Sequence, residues 1–141
     1  NIEIKSRPDW DEKFHPEVAT YVDLVMGVVQ RANLQQRVTI QSFDKRALRH
    51  LNANYPEVKL ALLVESGSFS DHIEKLGFMP DVYSPHYSLV SNSLLRGLHA
   101  QEVKVIPWTV NEIVKAEELM KMGVDGLITD YPSRLIPALK S

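Results

Sequence analysis

The sequence predicts an α/β protein in which parallel strands alternate with helices. Short apolar runs recur along the 141 residues, helical patterns with three- and four-residue spacing separate them, and Asn, Asp or Ser stands where several helices would begin. Because neighbouring parallel strands need a crossover connection, this repetition favours a parallel sheet.

Several segments have the length and composition of strands. They are Ile2–Lys5, Val38–Phe43, Lys59–Val64, Asp81–Ser84, Val103–Trp108 and Gly126–Thr129. In the first segment Glu3 and Lys5 share one face, since side chains alternate along a strand. The two charges are either a solvated pair on an exposed edge strand or a pair matched by a partner, a metal or a ligand.

Helical patterns fill the gaps between the predicted strands. Apolar residues from Val18 to Val29 mark one face of the first helix. Asp44 can cap a second helix, which ends at the break of Tyr55 and Pro56. Further helices are predicted from Ser70 to Gly77, over Leu94 to Leu98, from a cap at Asn111 to Met120, and from Asp130 with Pro132 in its first turn.

An open doubly wound sheet and a closed (β/α)8 barrel both have this alternation. A dinucleotide-binding sheet usually carries a glycine fingerprint after its first strand, and no G-x-G-x-x-G occurs here. The last strands start roughly twenty residues apart, which suits a barrel, but a whole barrel needs about 250 residues. We therefore predict a single domain, residues 1–141, with about six of the eight βα units of a TIM barrel and without its N-terminal strands.

Composition excludes several classes of function. A net charge of −2 gives no basic field for nucleic acid, and the apolar run from Val22 to Val29 is too short to cross a bilayer and contains Asp23. The absence of cysteine excludes disulfides and thiolate metal sites.

We expect a soluble protein, with its compartment left open between cytoplasmic and periplasmic or secreted. Because the first residue is Asn1, the native start is expected to have been removed or to lie upstream.

In a barrel, functional residues collect at the carboxyl ends of the strands. These ends carry Lys5, residues 42–44, Glu65, residues 84–87, residues 108–111 and residues 129–131. Helix capping is a sufficient explanation for Asp44, Asn111 and Asp130. His86 lies in a turn, where a loop role is commoner than a ligand role. Trp108 either fills the barrel or forms the wall of a ligand pocket.

Five stretches of the sequence form a recognisable series: NIEIKS, VTIQSFD, YSPHYSLV, VIPWTVN and GVDGLITDYPSRL. In this order and with these gaps they resemble the glycerophosphodiester phosphodiesterase family, whose fold is a (β/α)8 barrel. The last two stretches are the most specific, and the resemblance spans essentially all of this chain but only the later part of the family's domain. The family's earlier H-R-G, E-x-D-V and H-D motifs do not occur in this sequence.

The resemblance implies roles for the opening charges. The family's I-E-I-K glutamate, here Glu3, is a ligand of a divalent cation, and a carboxylate oxygen suits Mg²⁺ or Ca²⁺. Lys5 would meet the substrate phosphate and stabilise its charge in the transition state. Trp108 matches the family's aromatic wall around the glycerol end, and Phe43 is expected to border the pocket. The weaker candidates are Ser42, His86 and Asn111.

The same resemblance implies metal-dependent hydrolysis of a glycerophosphodiester to glycerol 3-phosphate and an alcohol, with two histidines as general base and acid. Those histidines belong to the absent H-R-G and H-D motifs. We therefore expect this chain alone to be inactive and the missing N-terminal part of the barrel to be its partner.

Two alternatives stay open. One is a noncatalytic half-barrel module that binds phosphate-bearing ligands through Lys5 or packs against a partner through open sheet edges. The other is an unrelated α/β sheet in which Glu3 and Lys5 form an ordinary surface pair.

Overall fold

The computed structural model describes residues 1–139, which divide into two compact units. Unit 1 contains residues 1–63 and 67–80, and unit 2 contains residues 64–66 and the chain from Asp81 onward. Each unit has its own parallel strands, helices and buried apolar residues. The α/β fold class is therefore confirmed, while the single domain over residues 1–141 stays a prediction.

Unit 1 is built on three strands that pair in parallel in the order β1, β2, β3. The strands are β1 (Ile2–Glu3), β2 (Thr39–Ser42) and β3 (Lys59–Val64), whose last residue belongs to unit 2. The helices are α1 (Val18–Arg31), α2 (Lys45–Asn54) and α3 (Phe69–Leu76). Ile40 lies opposite both Ile2 and Leu60, so the three strands share one register.

Apolar side chains from strands and helices form the core of unit 1. Ile40, Leu62, Leu48, Leu51 and Val22 are fully buried. Burial of one such side chain contributes about 1.5–3 kcal/mol, which fixes the helices against the strands. The strands' carboxyl ends therefore emerge from a packed layer.

In unit 2, the part that the structure describes, up to residue 139, contains two parallel strands and three helices. The strands are β4 (Val82–Pro85) and β5 (Lys104–Val105), and the helices are α4 (Asn92–His99), α5 (Ile113–Met122) and α6 (Pro132–Leu139). Tyr83 lies opposite Val105 in the β4–β5 pair, and both are buried. Burial raises the pKa of the Tyr83 phenol to about 12.

The sixth predicted strand, Gly126–Thr129, is not a strand in the structure. Asp125 N donates to Val105 O at 2.9 Å and Ile128 N to Pro107 O at 2.9 Å, so this segment still runs beside the continuation of β5. From the first of these bonds to the second, the donor moves three residues along its segment while the acceptor moves two along the other. The segment of the donors therefore contains one extra residue, which interrupts a regular ladder as a β-bulge does. The predicted count of about six βα units is therefore not confirmed.

Several helix ends differ from the sequence expectations. The side chain of Ser68, two residues before the predicted start, caps α3 by accepting from Asp71 N at 3.2 Å. Helix α5 follows Glu112, which makes no side-chain capping bond. The prediction that Asn111 caps this helix is wrong, because its side chain is engaged elsewhere. Within residues 1–139, no helix has the length and apolar character needed to cross a membrane.

Replacing Leu48 by Ala should lower the free energy of unfolding by about 2–5 kcal/mol, because this buried side chain leaves a cavity. Leu24→Ala is the matched control, since Leu24 is 59% exposed on α1. The control should change the free energy of unfolding by less than about 0.5 kcal/mol. Urea unfolding followed by circular dichroism measures both, and equal effects would contradict the assigned core.

Candidate functional site

Glu3 and Lys5 lie side by side at the carboxyl end of β1. Lys5 Nζ donates to Glu3 Oε1 at 2.9 Å, and the Lys5 side chain is 73% exposed while that of Glu3 is 24% exposed. An ion pair this open to water contributes at most about 1 kcal/mol. Lys5 can therefore exchange the carboxylate for another anion, such as a phosphate, at small cost.

The backbone around Lys5 is held by the segment that follows β2. Ser42 Oγ donates to Ile4 O at 2.7 Å, and Ser6 Oγ donates to Asp44 Oδ2 at 2.9 Å. Asp44 N in turn donates to Ser42 Oγ at 3.0 Å. These bonds connect residues on both sides of Lys5 with the carboxyl end of the neighbouring strand.

Arg46 joins two carboxylates in unit 1. Its guanidinium donates to Asp11 at 2.7 and 3.1 Å, and its Nη2 donates to Asp44 Oδ2 at 2.7 Å. Asp44 also caps α2, because its Oδ1 accepts from Arg46 N at 2.9 Å. Neither the contact with Asp11 nor that with Ser6 was foreseen from the sequence.

These contacts shift the pKa values of all three charged groups. Burial raises the pKa of Asp44, but hydrogen bonds from Arg46 and Ser6 outweigh it, so the pKa lies below the ordinary value of 3.8. Hydrogen bonds from Arg46 also lower the pKa of Asp11, and the two carboxylates raise the pKa of Arg46. The cluster is therefore fully ionised at neutral pH.

Phe43 follows β2 and is 44% exposed, an unusual exposure for a large apolar side chain. Its neighbours Ser42 and Asp44 are the residues that contact the strand of Lys5. The structure thus places Phe43 at the carboxyl edge of unit 1, at the end of the strand next to β1.

Trp108 and His86 lie together in unit 2 as a bridged parallel pair after β4 and β5. Their rings meet edge to face with centroids 5.3 Å apart, and Trp108 Nε1 donates to Ser84 O at 2.9 Å. Tyr87 N donates to Trp108 O at 2.8 Å. Because the polar end of the indole is satisfied, its half-buried ring can offer an apolar wall.

A cavity of about 530 Å³ opens in unit 2, lined by Tyr87 and by residues 109–112, 114 and 115. Asn111 is fixed in this lining: its Nδ2 donates to Asp130 Oδ2 at 2.9 Å, and its Oδ1 accepts from Asp130 N at 3.0 Å. Thr129 Oγ1 donates to the same Oδ1 at 3.1 Å. The volume is within the usual range for small-molecule pockets.

The carboxylates of residues 1–139 do not form a cation site on their own. No group of three or more His, Asp and Glu side chains in this part of the chain is arranged to hold a metal ion. Mg²⁺ and Ca²⁺ take six or more oxygen ligands, of which the Glu3 carboxylate can supply one or two. A cation at Glu3 therefore needs further ligands from water, substrate or other residues.

In each unit, strands alternate with helices, and charged, aromatic or polar side chains lie at the carboxyl ends of the strands. These features define an α/β protein, a class whose functional residues usually lie at the carboxyl ends of the strands. The sequence model of the glycerophosphoryl diester phosphodiesterase family matches residues 1–134. The chain belongs to this family, which rules out the alternative of an unrelated α/β sheet.

Relatives agree with this assignment. A glycerophosphodiester phosphodiesterase of Caldanaerobacter subterraneus is 33% identical over 140 residues, covering 96% of this chain and 53% of the relative. A solved structure assigned to the glycerophosphoryl diester phosphodiesterases, from Silicibacter pomeroyi, has a TM-score of 0.83 and 26% identity and covers 98% of this chain and 48% of its own.

A phosphodiesterase of Oleispira antarctica shares the fold. Its structure, determined in complex with the product sn-glycerol-3-phosphate, has a TM-score of 0.81 and 21% identity, covering 100% of this chain and 55% of its own. The chain thus spans about half the length of the relatives and solved structures named here.

Asp44→Asn should reduce the dependence of stability on pH. Because the pKa of Asp44 is lower in the folded chain, its contribution to stability is present above the unfolded value of 3.8 and is lost as pH falls through the folded value. At pH 7 the free energy of unfolding of the variant should be lower by about 1.5–3 kcal/mol, because the charge-assisted hydrogen bonds weaken. The asparagine can still cap the helix.

Urea unfolding at pH 7 and at steps from about pH 5 to pH 2 checks this expectation. The difference in free energy of unfolding between the variant and the original chain should become smaller toward low pH. A difference that is constant across this range would contradict the assigned charge state of Asp44.

Proposed function

We propose that this chain forms part of an enzyme that hydrolyses glycerophosphodiesters to glycerol 3-phosphate and an alcohol with the help of a divalent cation. The chain would supply about six units of a (β/α)8 barrel, and residues upstream of Asn1 would supply the rest. The observation that carries the proposal is the exposed ammonium of Lys5 beside the Glu3 carboxylate, at the strand end where this family's I-E-I-K motif lies.

Lys5 is proposed as the catalytic cation of this chain. Charge on the phosphoryl oxygens must be stabilised as the ester bond breaks, and a fixed positive group provides this stabilisation. The Lys5 side chain is mostly exposed, and its ion-pair partner, the Glu3 carboxylate, is partly exposed. A phosphate can therefore approach the ammonium without the breaking of a buried contact.

Glu3 is proposed as one ligand of the cation, Mg²⁺ or Ca²⁺. A hard carboxylate oxygen suits either ion. The bound cation would polarise the phosphate. Lys5 would then leave its ion pair with Glu3 and turn to the substrate, so that each charge has a separate partner.

Two aromatic residues are proposed to bind substrate: Trp108 as the wall around the glycerol end, and Phe43 as a residue that borders the pocket. Phe43 exposes its side chain at the end of β2, and Trp108 has its indole nitrogen satisfied by Ser84 O. An apolar ring such as the Trp108 indole can cover the carbon side of a glycerol group. The Oleispira phosphodiesterase, which shares the fold, was determined in complex with sn-glycerol-3-phosphate, and this complex supports the proposal of a glycerol phosphate site.

The general acid and base are proposed to lie upstream of Asn1. Among the described histidines, His50 Nε2 lies 2.7 Å from Asp23 Oδ1, and His99 Nε2 lies 2.9 Å from Asp125 Oδ2. The His15 ring stacks on Tyr21. These contacts indicate structural roles, and none of these residues stands in an H-R-G or H-D motif.

A noncatalytic half-barrel that binds phosphate-bearing ligands through Lys5 is the second candidate. The exposed ammonium of Lys5 favours it, because a phosphate can bind there whether or not a cation is held at Glu3. The two candidates differ in one consequence: only an enzyme releases an alcohol from the bound diester.

Lys5→Ala should lower kcat for glycerophosphocholine by about 10²–10³-fold in the protein extended with its upstream residues, because the transition state loses a fixed positive charge. Lys59→Ala is the matched control, since Lys59 is an exposed lysine at the opposite end of its strand. It should leave kcat unchanged. Release of choline at saturating Mg²⁺ or Ca²⁺ measures both, and unchanged turnover in the Lys5 variant would refute the proposed role.

Glu3→Gln should weaken cation binding by at least about tenfold in the same extended protein, because an amide oxygen lacks the carboxylate charge. Titration calorimetry with Mg²⁺ and with Ca²⁺ measures this affinity independently of turnover. Glu57→Gln, at an exposed glutamate beyond the end of α2, is the control. Equal affinities in the Glu3 variant and the unaltered protein would remove Glu3 from the ligand set.

A further inference from the structure

Lys5 lies between two residues that are both anchored while its own side chain stays exposed. Ile4 is 1% exposed and its carbonyl accepts from Ser42 Oγ; Ser6 is 6% exposed and its hydroxyl donates to Asp44 Oδ2. Both anchors come from the segment that ends the neighbouring strand. The backbone at Lys5 is therefore fixed from two sides while its ammonium can reach solvent.

Helix capping alone does not account for Asp44. A cap needs one side-chain oxygen, and Asp44 Oδ1 fulfils this role with Arg46 N. The second oxygen, Oδ2, accepts from Ser6 Oγ at 2.9 Å and from Arg46 Nη2 at 2.7 Å. The Asp44 side chain is 6% exposed, so it holds Ser6 in a site where water does not compete freely.

Arg46 keeps this carboxylate in place and balances its charge. Its guanidinium contacts Asp44 on one side and Asp11 on the other. Charge-assisted bonds of this kind are roughly twice as strong as neutral ones. Arg46 therefore fixes the carboxylate that holds the Ser6 hydroxyl.

We propose that Ser6 and Asp44 are positioning residues for Lys5, holding its backbone so that the ammonium meets the substrate phosphate, with Arg46 fixing Asp44. This inference rests on the proposed function, because it requires Lys5 to act on a phosphate. Misplacement of a catalytic group by about 1 Å can cost about 10²-fold in rate. The bonds at residues 4 and 6 limit such movement.

Ser6→Ala in the upstream-extended protein should lower kcat for glycerophosphocholine by about 10–100-fold with a smaller change in KM, because the chemical step depends on the position of Lys5. Ser6→Thr keeps the hydroxyl and should therefore retain most of the kcat that Ser6→Ala loses. Ser93→Ala is the control: Ser93 Oγ lies 3.0 Å from Ser91 Oγ at the start of α4, and its removal should leave kcat unchanged.

A double-mutant cycle separates positioning from a general structural role. If Ser6 acts through Lys5, Ser6→Ala should cause no further loss of kcat/KM in a Lys5→Ala background. Circular dichroism and urea unfolding confirm that each compared variant is folded, and Ser6→Thr supplies a second test should Ser6→Ala fail to fold.

Three results would overturn the inference. Ser6→Ala could leave kcat unchanged, Ser6→Thr could lose as much activity as Ser6→Ala, or Ser6→Ala could cause the same fold loss with and without Lys5. Failure of the proposed function itself has a different signature: the unaltered extended protein would then release no choline from glycerophosphocholine with either Mg²⁺ or Ca²⁺.

Discussion

The candidate site depends on the parallel pairing of β1 with β2. Glu3 lies opposite Gln41, and Ile4 N donates to Gln41 O at 2.9 Å, which fixes which residues face outward. A slip of one residue would turn Glu3 and Lys5 to the opposite face, because side chains alternate along a strand. The regular strand is only two residues long, so the bonds of Ser42 and Asp44 extend this constraint to Lys5.

Residue patterns predicted the regular parts of the fold. Alternating or continuous apolar runs located β2 and β3, and three- and four-residue spacing located α1. The cap at Asp44 and the break at Tyr55 and Pro56 located α2. Segments with irregular backbone were harder to predict from the sequence. The segment Gly126–Thr129 has a strand-like composition, but one extra residue interrupts its ladder, and no local signal marks where a partner strand will fall out of register.

The sequence also predicted that Glu3 and Lys5 share a face, since strand alternation alone decides this. The anchors of Lys5 were not predictable in the same way. Ser6 and Asp44 are separated by 38 residues, and only the pairing of their strands brings them together. Asn111 failed as a predicted cap because Thr129 and Asp130 engage its side chain from a distant segment. Rules based on local sequence cannot predict which of several possible hydrogen-bond partners such a side chain will bind.

In the proposed function, this chain holds the cation-binding and phosphate-binding half of a phosphodiesterase, and upstream residues supply the acid and base. The most direct measurement compares glycerophosphocholine hydrolysis by residues 1–141 alone and by the upstream-extended protein, each with and without Mg²⁺ or Ca²⁺. This division of roles predicts cation-dependent release of choline by the extended protein only. Cation-dependent hydrolysis by residues 1–141 alone would contradict it, because the acid and base would then have to lie within this chain.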